Sequence, residues 1–482
     1  MAANGAASAA LWVDVIAIYL ALLKQLVPVV ACCVFLSCLD DVFIDVLYGL
    51  RLLRARRTAR TVGAPPDLTA QDMAAKPADW IAILVPAVDE ARVIGPMLRH
   101  ALATLDYPRY RILVGTYPED PATQAAVRAV AREDGRVLCI VGDQPRKNSC
   151  KAVCLNVLYR ALLDLEARGH PAFKAVVLHD AEDVVHPLEL HVFNWHIPAK
   201  ALVQLPVLPL PHTKARWWQR WSAHTYLEEF ATAHTRDMVV RNWLTASLPS
   251  AGVGCGLSRP ALAAAARQNG GLPFRTASKT EDYELGISLG LRGFPALMAR
   301  VPASPHDPRC VAVRCLFPKG FFGSVRQRSR WLLGIALGGW RRFGWPDRMI
   351  DRYMLLRDRK ALPCAWLNLV TLLLTVQLAA LALCAAHPAW PNLPPLVRPG
   401  SAIAHLLAVN FALLLWRTAQ RAWITTASFG LREGLASVPR SISGIFIHAA
   451  AATLAVADDL RERATGRPAP WRKTVHTQLF PD

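Results

Sequence analysis

The stretch Ala175-Val176-Val177-Leu178-His179-Asp180-Ala181-Glu182-Asp183 is an apolar run that ends in a histidine and three acids. Such a run reads as a buried parallel strand whose carboxyl end opens on a polar site. Three similar runs precede it, at residues 80–86, 110–115 and 137–141. Between them, residues 93–105, 122–133 and 151–167 carry helical spacing. Alternating strands and helices predict an α/β domain with helices on both faces of its sheet. Ligands bind such sheets beyond the carboxyl ends of the strands. Asp89, Glu90, Asp120, Asp180, Glu182 and Asp183 all fall there.

Outward from this domain the chain becomes apolar. Of 482 residues, 53% are hydrophobic and only 19% charged. That is too apolar for an ordinary soluble protein and too charged for a pure membrane bundle. Residues 11–39 read as a retained anchor, continuing as a helix to about residue 57 that is half in and half on the membrane. Lys24 lies inside it, and Asp40, Asp41 and Asp45 follow. Residues 362–386 carry no charge and predict a span; residues 402–416 predict another. Residues 442–457 have arginines on both sides and suggest an interfacial or re-entrant helix. The expectation is three spans, with the soluble domain cytosolic in a bacterial inner membrane.

The net charge of +19 has three ordinary meanings: nucleic acid, an anionic membrane face or phosphate-bearing substrates. The basic residues cluster beside the apolar segments, as Arg51, Arg54, Arg56, Arg57 and Arg60 do, which favours the membrane. They match no nucleic-acid module. The 11 cysteines include no CxxC pair and read as small buried residues.

The acidic turn Asp180-Ala181-Glu182-Asp183 can present carboxylates to a hard divalent cation, Mg²⁺ or Mn²⁺, or merely solvate a strand end. Asp89 and Glu90 suit a base N–H or ribose hydroxyl, and equally suit a helix N-cap; Asp120 has the same two readings. Lys151 opens a helix, where a cation opposes the dipole, so it is expected to face an anion such as a diphosphate. In Thr280-Glu281-Asp282, Asp282 is the expected general base, with Glu281 beside it; Thr280 also suits a helix cap. Gln327, Arg330 and Trp331 stand at i, i+3 and i+4, one face of a helix. Arg330 suits a leaving diphosphate, and the Trp331 ring a sugar face. Residues 325–343 are expected to form a surface-lying helix, with Trp331, Leu332, Ile335 and Trp340 toward lipid. Gly252-Val253-Gly254-Cys255-Gly256 is expected to line the acceptor site as a tight loop.

This order of strand-end acid, lysine, acidic turn, Thr-Glu-Asp and Gln-x-x-Arg-Trp resembles the membrane-bound, cellulose-synthase-like family 2 inverting glycosyltransferases. It is closer still to the bacteriophage adsorption protein B family of the coliphage N-four type. That likeness includes Gly115-Thr116-Tyr117-Pro118, His179 to Asp183, Pro249-Ser250-Ala251-Gly252-Val253-Gly254 and Trp471-Arg472-Lys473-Thr474. The resemblance implies a GT-A fold, a Rossmann-like mixed sheet embedded between transmembrane helices. It also implies a UDP-sugar donor, a saccharide acceptor, a divalent cation, a role in surface or secreted polysaccharide, and an outer-membrane export partner. Two departures stand out. Glu182 occupies the third position of the family's Asp-x-Asp, and the carboxy-terminal domain like cyclic-di-GMP-binding modules that the family often carries is not expected within these 482 residues.

The expected organisation is an anchor at 1–57, a linker at 58–78, the GT-A domain at 79–324, interface helices at 325–361, and membrane and interfacial helices at 362–482. A competing reading is a catalytically silent membrane scaffold or phage-receptor component. A transporter fits poorly, because the acidic motifs lie outside the few spans.

Overall fold

The computed structural model describes residues 2–62, 68–143, 150–387 and 396–467. Pro65-Pro66 of the expected linker and the Trp471-Arg472-Lys473-Thr474 motif lie outside the described residues. Eleven strands are numbered in chain order: β1 Ile81–Pro86, β2 Tyr110–Thr116, β3 Val137–Val141, β4 Ala175–Leu178, β5 Leu202–Gln204, β6 Val207–Pro209, β7 Cys255–Ser258, β8 Ala296–Met298, β9 Pro302–Ser304, β10 Asp307–Cys310 and β11 Val313–Cys315. Seven of them form one sheet in the order β3-β2-β1-β4-β7-β5-β8. The four strands expected from apolar runs are its parallel half, with Ile81 opposite both Tyr110 and Ala175. β7 runs antiparallel between β4 and β5, so the sheet is mixed. Apolar side chains leave both faces of β1, β2 and β4 into two separate cores, so these central strands are covered on both faces.

The flanking helices are long. Ala2–Val62 is one helix of 61 residues. Met349–Ala386, Ala402–Phe429 and Leu431–Thr465 follow the soluble domain. All four are long and apolar enough to cross a bilayer. The spans expected from the sequence end the third of these four early, at residue 416, and take in only part of the last. Leu431–Thr465 is one uninterrupted helix of 35 residues, not a re-entrant one. The acids that blurred the first span have partners on the other helices. Asp40 binds Lys360 and, at 2.5 Å, Arg357; Asp41 binds Arg417 at 2.9 Å. Asp45 binds Arg236 of the soluble domain at 2.7 Å and accepts from Trp416 Nε1 at 2.9 Å. Half-buried charges persist where they are paired, so this cluster fixes the membrane helices to one another and to the domain.

Residues 325–343 do not form the expected lipid-facing helix. Phe321–Leu332 runs through a π-helical segment, Leu333–Gly338, into Gly339–Phe343. Trp331 packs among Tyr226, Phe230 and Phe317; Leu332 joins Val325, Ile447 and Ala451; Ile335 joins Tyr283 and Ile287. Only Trp340 of the four is exposed, meeting Trp345 edge to face with ring centroids 5.2 Å apart and with the Arg359 guanidinium 4.4 Å from its ring. The apolar side of this segment faces protein because the last helix and the domain close over it.

Candidate active site

β4 delivers His179 and the acidic turn to the end of the sheet. His179 is fully buried between two carboxylates, with Nδ1 2.9 Å from Asp183 and Nε2 2.8 Å from Glu189. Burial opposes a charged imidazole, but Glu189 and Asp183 outweigh it and raise the His179 pKa to about 10. Asp183 Oδ2 also accepts from the Asp180 N–H at 3.0 Å. Asp183 is therefore turned inward and shapes the loop, while Asp180 and Glu182 remain partly accessible. Among the described residues no group of three or more His, Cys, Asp or Glu is arranged to hold an ion. The three acids named from the sequence do not converge.

Asp180 points instead at Lys151, with Nζ 2.6 Å from Oδ1. Lys151 Nζ also donates to the Gly252 carbonyl at 3.2 Å. Burial alone would depress this ammonium, yet the charges of Asp180, Glu281 and Asp282 raise its pKa. Gly252 holds a left-handed φ of +75°, and a Cβ there would stand 2.2 Å from Asp282 Oδ2. The glycine loop thus touches the Thr-Glu-Asp segment directly.

Glu281–Leu291 is a helix that places Glu281 and Asp282 in its first turn. Asp282 Oδ1 accepts from the Tyr283 N–H at 2.7 Å. Burial raises the Asp282 pKa, against the pull of Lys151. Burial, then the charge of Asp282, pushes Glu281 up to about 7, against Lys151 and Arg330. Thr280 makes no side-chain cap bond; its Oγ1 is buried without a partner, and a Cβ on Gly334 would stand 2.4 Å from it. The Gln-x-x-Arg-Trp segment is therefore pressed on Thr-Glu-Asp through a glycine. Gln327 Oε1 is likewise buried without a protein partner.

The structure ties the acids after β1 and β2 together through the backbone. Asp120 caps the helix Pro121–Glu133, accepting from Thr123 N–H at 3.2 Å, and its other oxygen takes the Asp89 N–H at 2.6 Å. Asp89 has a left-handed φ of 52° and an exposed side chain. Neither Asp89 nor Glu90 caps the next helix, Ile94–Thr104, whose first N–H groups use the Glu90 carbonyl.

One site was missed in the sequence. Arg328, inside Gln-x-x-Arg-Trp, is buried against Glu229 at 2.8 Å and lies 3.6 Å over the Tyr226 ring. Glu229 also takes His448 of the last helix at 2.9 Å. Next to it Arg440 binds Glu228 at 3.0 Å and Glu433 at 2.5 Å. The i, i+3, i+4 spacing of Gln327, Arg330 and Trp331 leaves Arg328 off their face, and only the fold shows what covers it.

A family model described as glycosyltransferase like family 2 matches residues 77–334. The chain belongs to this family. It is 36% identical over 480 residues to the bacteriophage adsorption protein B of Escherichia coli (strain K12), across 96% of this chain and 63% of that protein. The bacteriophage N4 adsorption protein B of Escherichia coli O157:H7 matches with the same identity and coverage. The chain thus spans 63% of the length of these curated relatives. Among solved structures it is similar to the mannosyltransferase PcManGT from Pyrobaculum calidifontis in complex with GDP-Man and Mn²⁺. That likeness has a TM-score of 0.47 and 19% identity over 86% of this chain and 99% of that one. It is also similar to S. aureus TarS, with a TM-score of 0.36 and 11% identity over 58% of this chain and 43% of that one. The mixed sheet is that of a GT-A-type glycosyltransferase domain, and four helices long and apolar enough to cross a membrane flank it.

Proposed function

We propose that this family member is an inverting transferase that moves a hexose or N-acetylhexosamine from a UDP-sugar to a saccharide acceptor. It would work on the cytosolic face of a bacterial inner membrane, with residues 79–324 as the catalytic domain. The reading rests on one observation. Lys151, Asp180, Gly252 and Asp282, separated by up to 131 positions, meet within hydrogen-bond or contact distance, and the charge of Arg330 reaches Glu281 and Asp282.

In this proposal Asp282 takes the proton of the attacking acceptor hydroxyl through Oδ2, the oxygen beside the Gly252 backbone. Its raised affinity for protons brings it nearer the working pH than an ordinary carboxylate. Lys151 and Arg330 supply positive charge for the departing diphosphate. Asp89 and Glu90 line the nucleotide side at the end of β1, where Asp120 acts through the Asp89 backbone. Gln327 and Thr280 offer buried oxygens to acceptor hydroxyls, while Trp331, packed in its aromatic cluster, borders them.

The donor set fits a substrate-held cation and not an all-protein cage. A small hard cation takes one or two carboxylates and fills its other positions with water and phosphate. Asp180 and Glu182 are the partly accessible pair that would hold Mg²⁺ or Mn²⁺; Asp183 is committed to His179. The ion would offset the charge that builds on the leaving diphosphate. Surface or secreted polysaccharide as the product, and an outer-membrane export protein as partner, belong to the same proposal and follow from the resemblance alone.

The test is a panel of UDP-sugars with the purified protein and Mg²⁺ or Mn²⁺, reading UDP release. One donor is expected to give release that Asp180→Ala and Asp282→Asn each abolish. No release from any donor in either metal would end the enzymatic reading.

A further inference from the structure

Two pairs of large aromatics stand in solvent on the soluble domain. Trp217 is 67% and Trp218 49% exposed, on the short helix Trp217–Ala223. Phe321 is 37% and Phe322 75% exposed, at the start of the Gln-x-x-Arg-Trp helix. The two pairs are neighbours, because the Gly320 N–H donates to the Gln219 carbonyl at 3.3 Å. Their common support is polar and rigid. His212 Nε2 lies 2.7 Å from the Phe317 carbonyl, and the His212 N–H donates to His224 Nε2 at 3.1 Å. Exposed Trp and Phe in clusters mark an interaction surface.

The charge around them is of one sign. Residues 211–222 contain Lys214, Arg216 and Arg220, and residues 316–326 contain Lys319 and Arg326; neither segment holds an acid. Lys214, Arg216, Lys319 and Arg326 are exposed, and the Arg216 guanidinium lies 5.3 Å from the Trp218 ring. The patch also continues into a candidate membrane helix. Trp221 Nε1 donates to Ser443 Oγ at 2.9 Å on Leu431–Thr465. That helix exposes Leu435, Val438, Ile442 and Phe446, which fall on one face by their spacing.

We propose that Trp217, Trp218, Phe321 and Phe322 form a wedge that seats in the headgroup layer of an anionic leaflet, flanked by Lys214, Arg216 and Lys319. Trp belongs at that depth because its ring is apolar and its N–H is polar. Lysines and arginines beside an anionic surface strengthen the docking, and it is continuous with the lipid-facing side of the last helix. The wedge sits at the amino end of the helix that carries Gln327 and Arg330, so it holds the acceptor side of the site at the membrane surface. This role is taken by residues 217–218 and 321–322, not by Trp331, Leu332 and Ile335.

The full chain is placed in nanodiscs of phosphatidylcholine or phosphatidylglycerol with the photoreactive p-benzoylphenylalanine at Phe322. A second variant carries it at Leu163, an exposed position on the helix Lys151–Ala167 of the soluble domain. After irradiation, lipid adducts are counted by mass spectrometry. Adducts are expected at position 322 and not at 163, with at least about threefold more in phosphatidylglycerol than in phosphatidylcholine. The variant Lys214→Glu/Arg216→Glu/Lys319→Glu is expected to lose that preference. No lipid adduct at 322, equal adducts at 163, or equal yields in the two lipids would overturn the proposal. Crosslinks to a second protein copy would overturn it in favour of self-association.

Discussion

Replacing Gly252 with alanine tests whether the glycine loop sets the position of the base. Two effects follow from the structure. First, φ is +75°, and an L-residue held in the left-handed region costs about 1–2 kcal/mol. Second, the new Cβ would stand 2.2 Å from Asp282 Oδ2, whereas ordinary contact begins at 3.4 Å. The carboxylate must retreat by about 1.2 Å, and a misplacement of roughly that size costs on the order of 10²-fold in rate. Gly254→Ala is the control. Its φ is +55° and its Cβ would meet Val313 Cγ2 at 2.6 Å, so it carries a comparable strain without touching Asp282. The assay is steady-state UDP release with the donor found for the wild type, beside thermal unfolding of both variants. Gly252→Ala is expected to lose about 100-fold in kcat, with donor KM changed less than about threefold. Gly254→Ala is expected to lose stability and keep most of its kcat. If Gly252→Ala folds and retains kcat within about threefold of wild type, Asp282 is not the base or the loop does not position it.

Three further outcomes are expected. The acid limb of kcat/KM should lie near pH 7 and not in the ordinary carboxylate range. Asp282, raised by burial, must be ionised before it can accept a proton, and Glu281 beside it is raised to about 7 by burial and the charge of Asp282; a profile flat down to pH 5 would contradict this. His179 is raised from 6.5 to about 10 in the fold, so its stabilising contribution is full below pH 6.5 and fades as pH climbs toward 10. The gap in melting temperature between wild type and His179→Gln should narrow over that window, and a gap that widens would refute the buried ion triad. Arg328→Ala should cost about 3 kcal/mol or more by leaving Glu229 in a partly buried site with one fewer cation, while Arg330→Ala should leave the melting temperature nearly unchanged and impair UDP release. Equal destabilisation by the two variants would mean that the motif is purely structural.

The central strands were legible because a parallel strand buried on both faces is written as an unbroken apolar run. Val137–Val141 and the helix Lys151–Ala167 fall where the run and the period place them. Strands β5, β6, β8 and β11 were not legible. Each has only three residues, too few for a period to register, and their pairing is set by partners far away, as when Leu202 meets both Leu257 and Ala296. The membrane helices were found but cut short. Asp40, Asp41, Arg357 and Lys360 look like span boundaries one at a time, whereas in the fold they neutralise one another inside continuous helices. Hydropathy counts charges singly and has no means of counting pairs.

The site shows the same division between chemistry and contact. Residue type alone marked the acids and the lysine, because a carboxylate at a strand end is uncommon enough to notice. What each one does depends on its neighbour. Asp183 and Asp180 are equivalent as letters, yet one is turned onto His179 and the other onto Lys151. Arg328 and Arg330 are two residues apart, and a rotation of about 200° along the helix sends the first into Glu229 and leaves the second toward Glu281 and Asp282. The departure of Glu182 from the family's Asp-x-Asp bears on the proposed cation site. Asp183 is held by His179 and by the Asp180 amide, so in the proposed reading Glu182 is the acid that would join Asp180 at a cation. Glu182→Gln should therefore weaken Mn²⁺ dependence while preserving the melting temperature, whereas Asp183→Asn should lower the melting temperature first. A Glu182→Gln protein with wild-type metal dependence would return the role to Asp183 and undo this assignment.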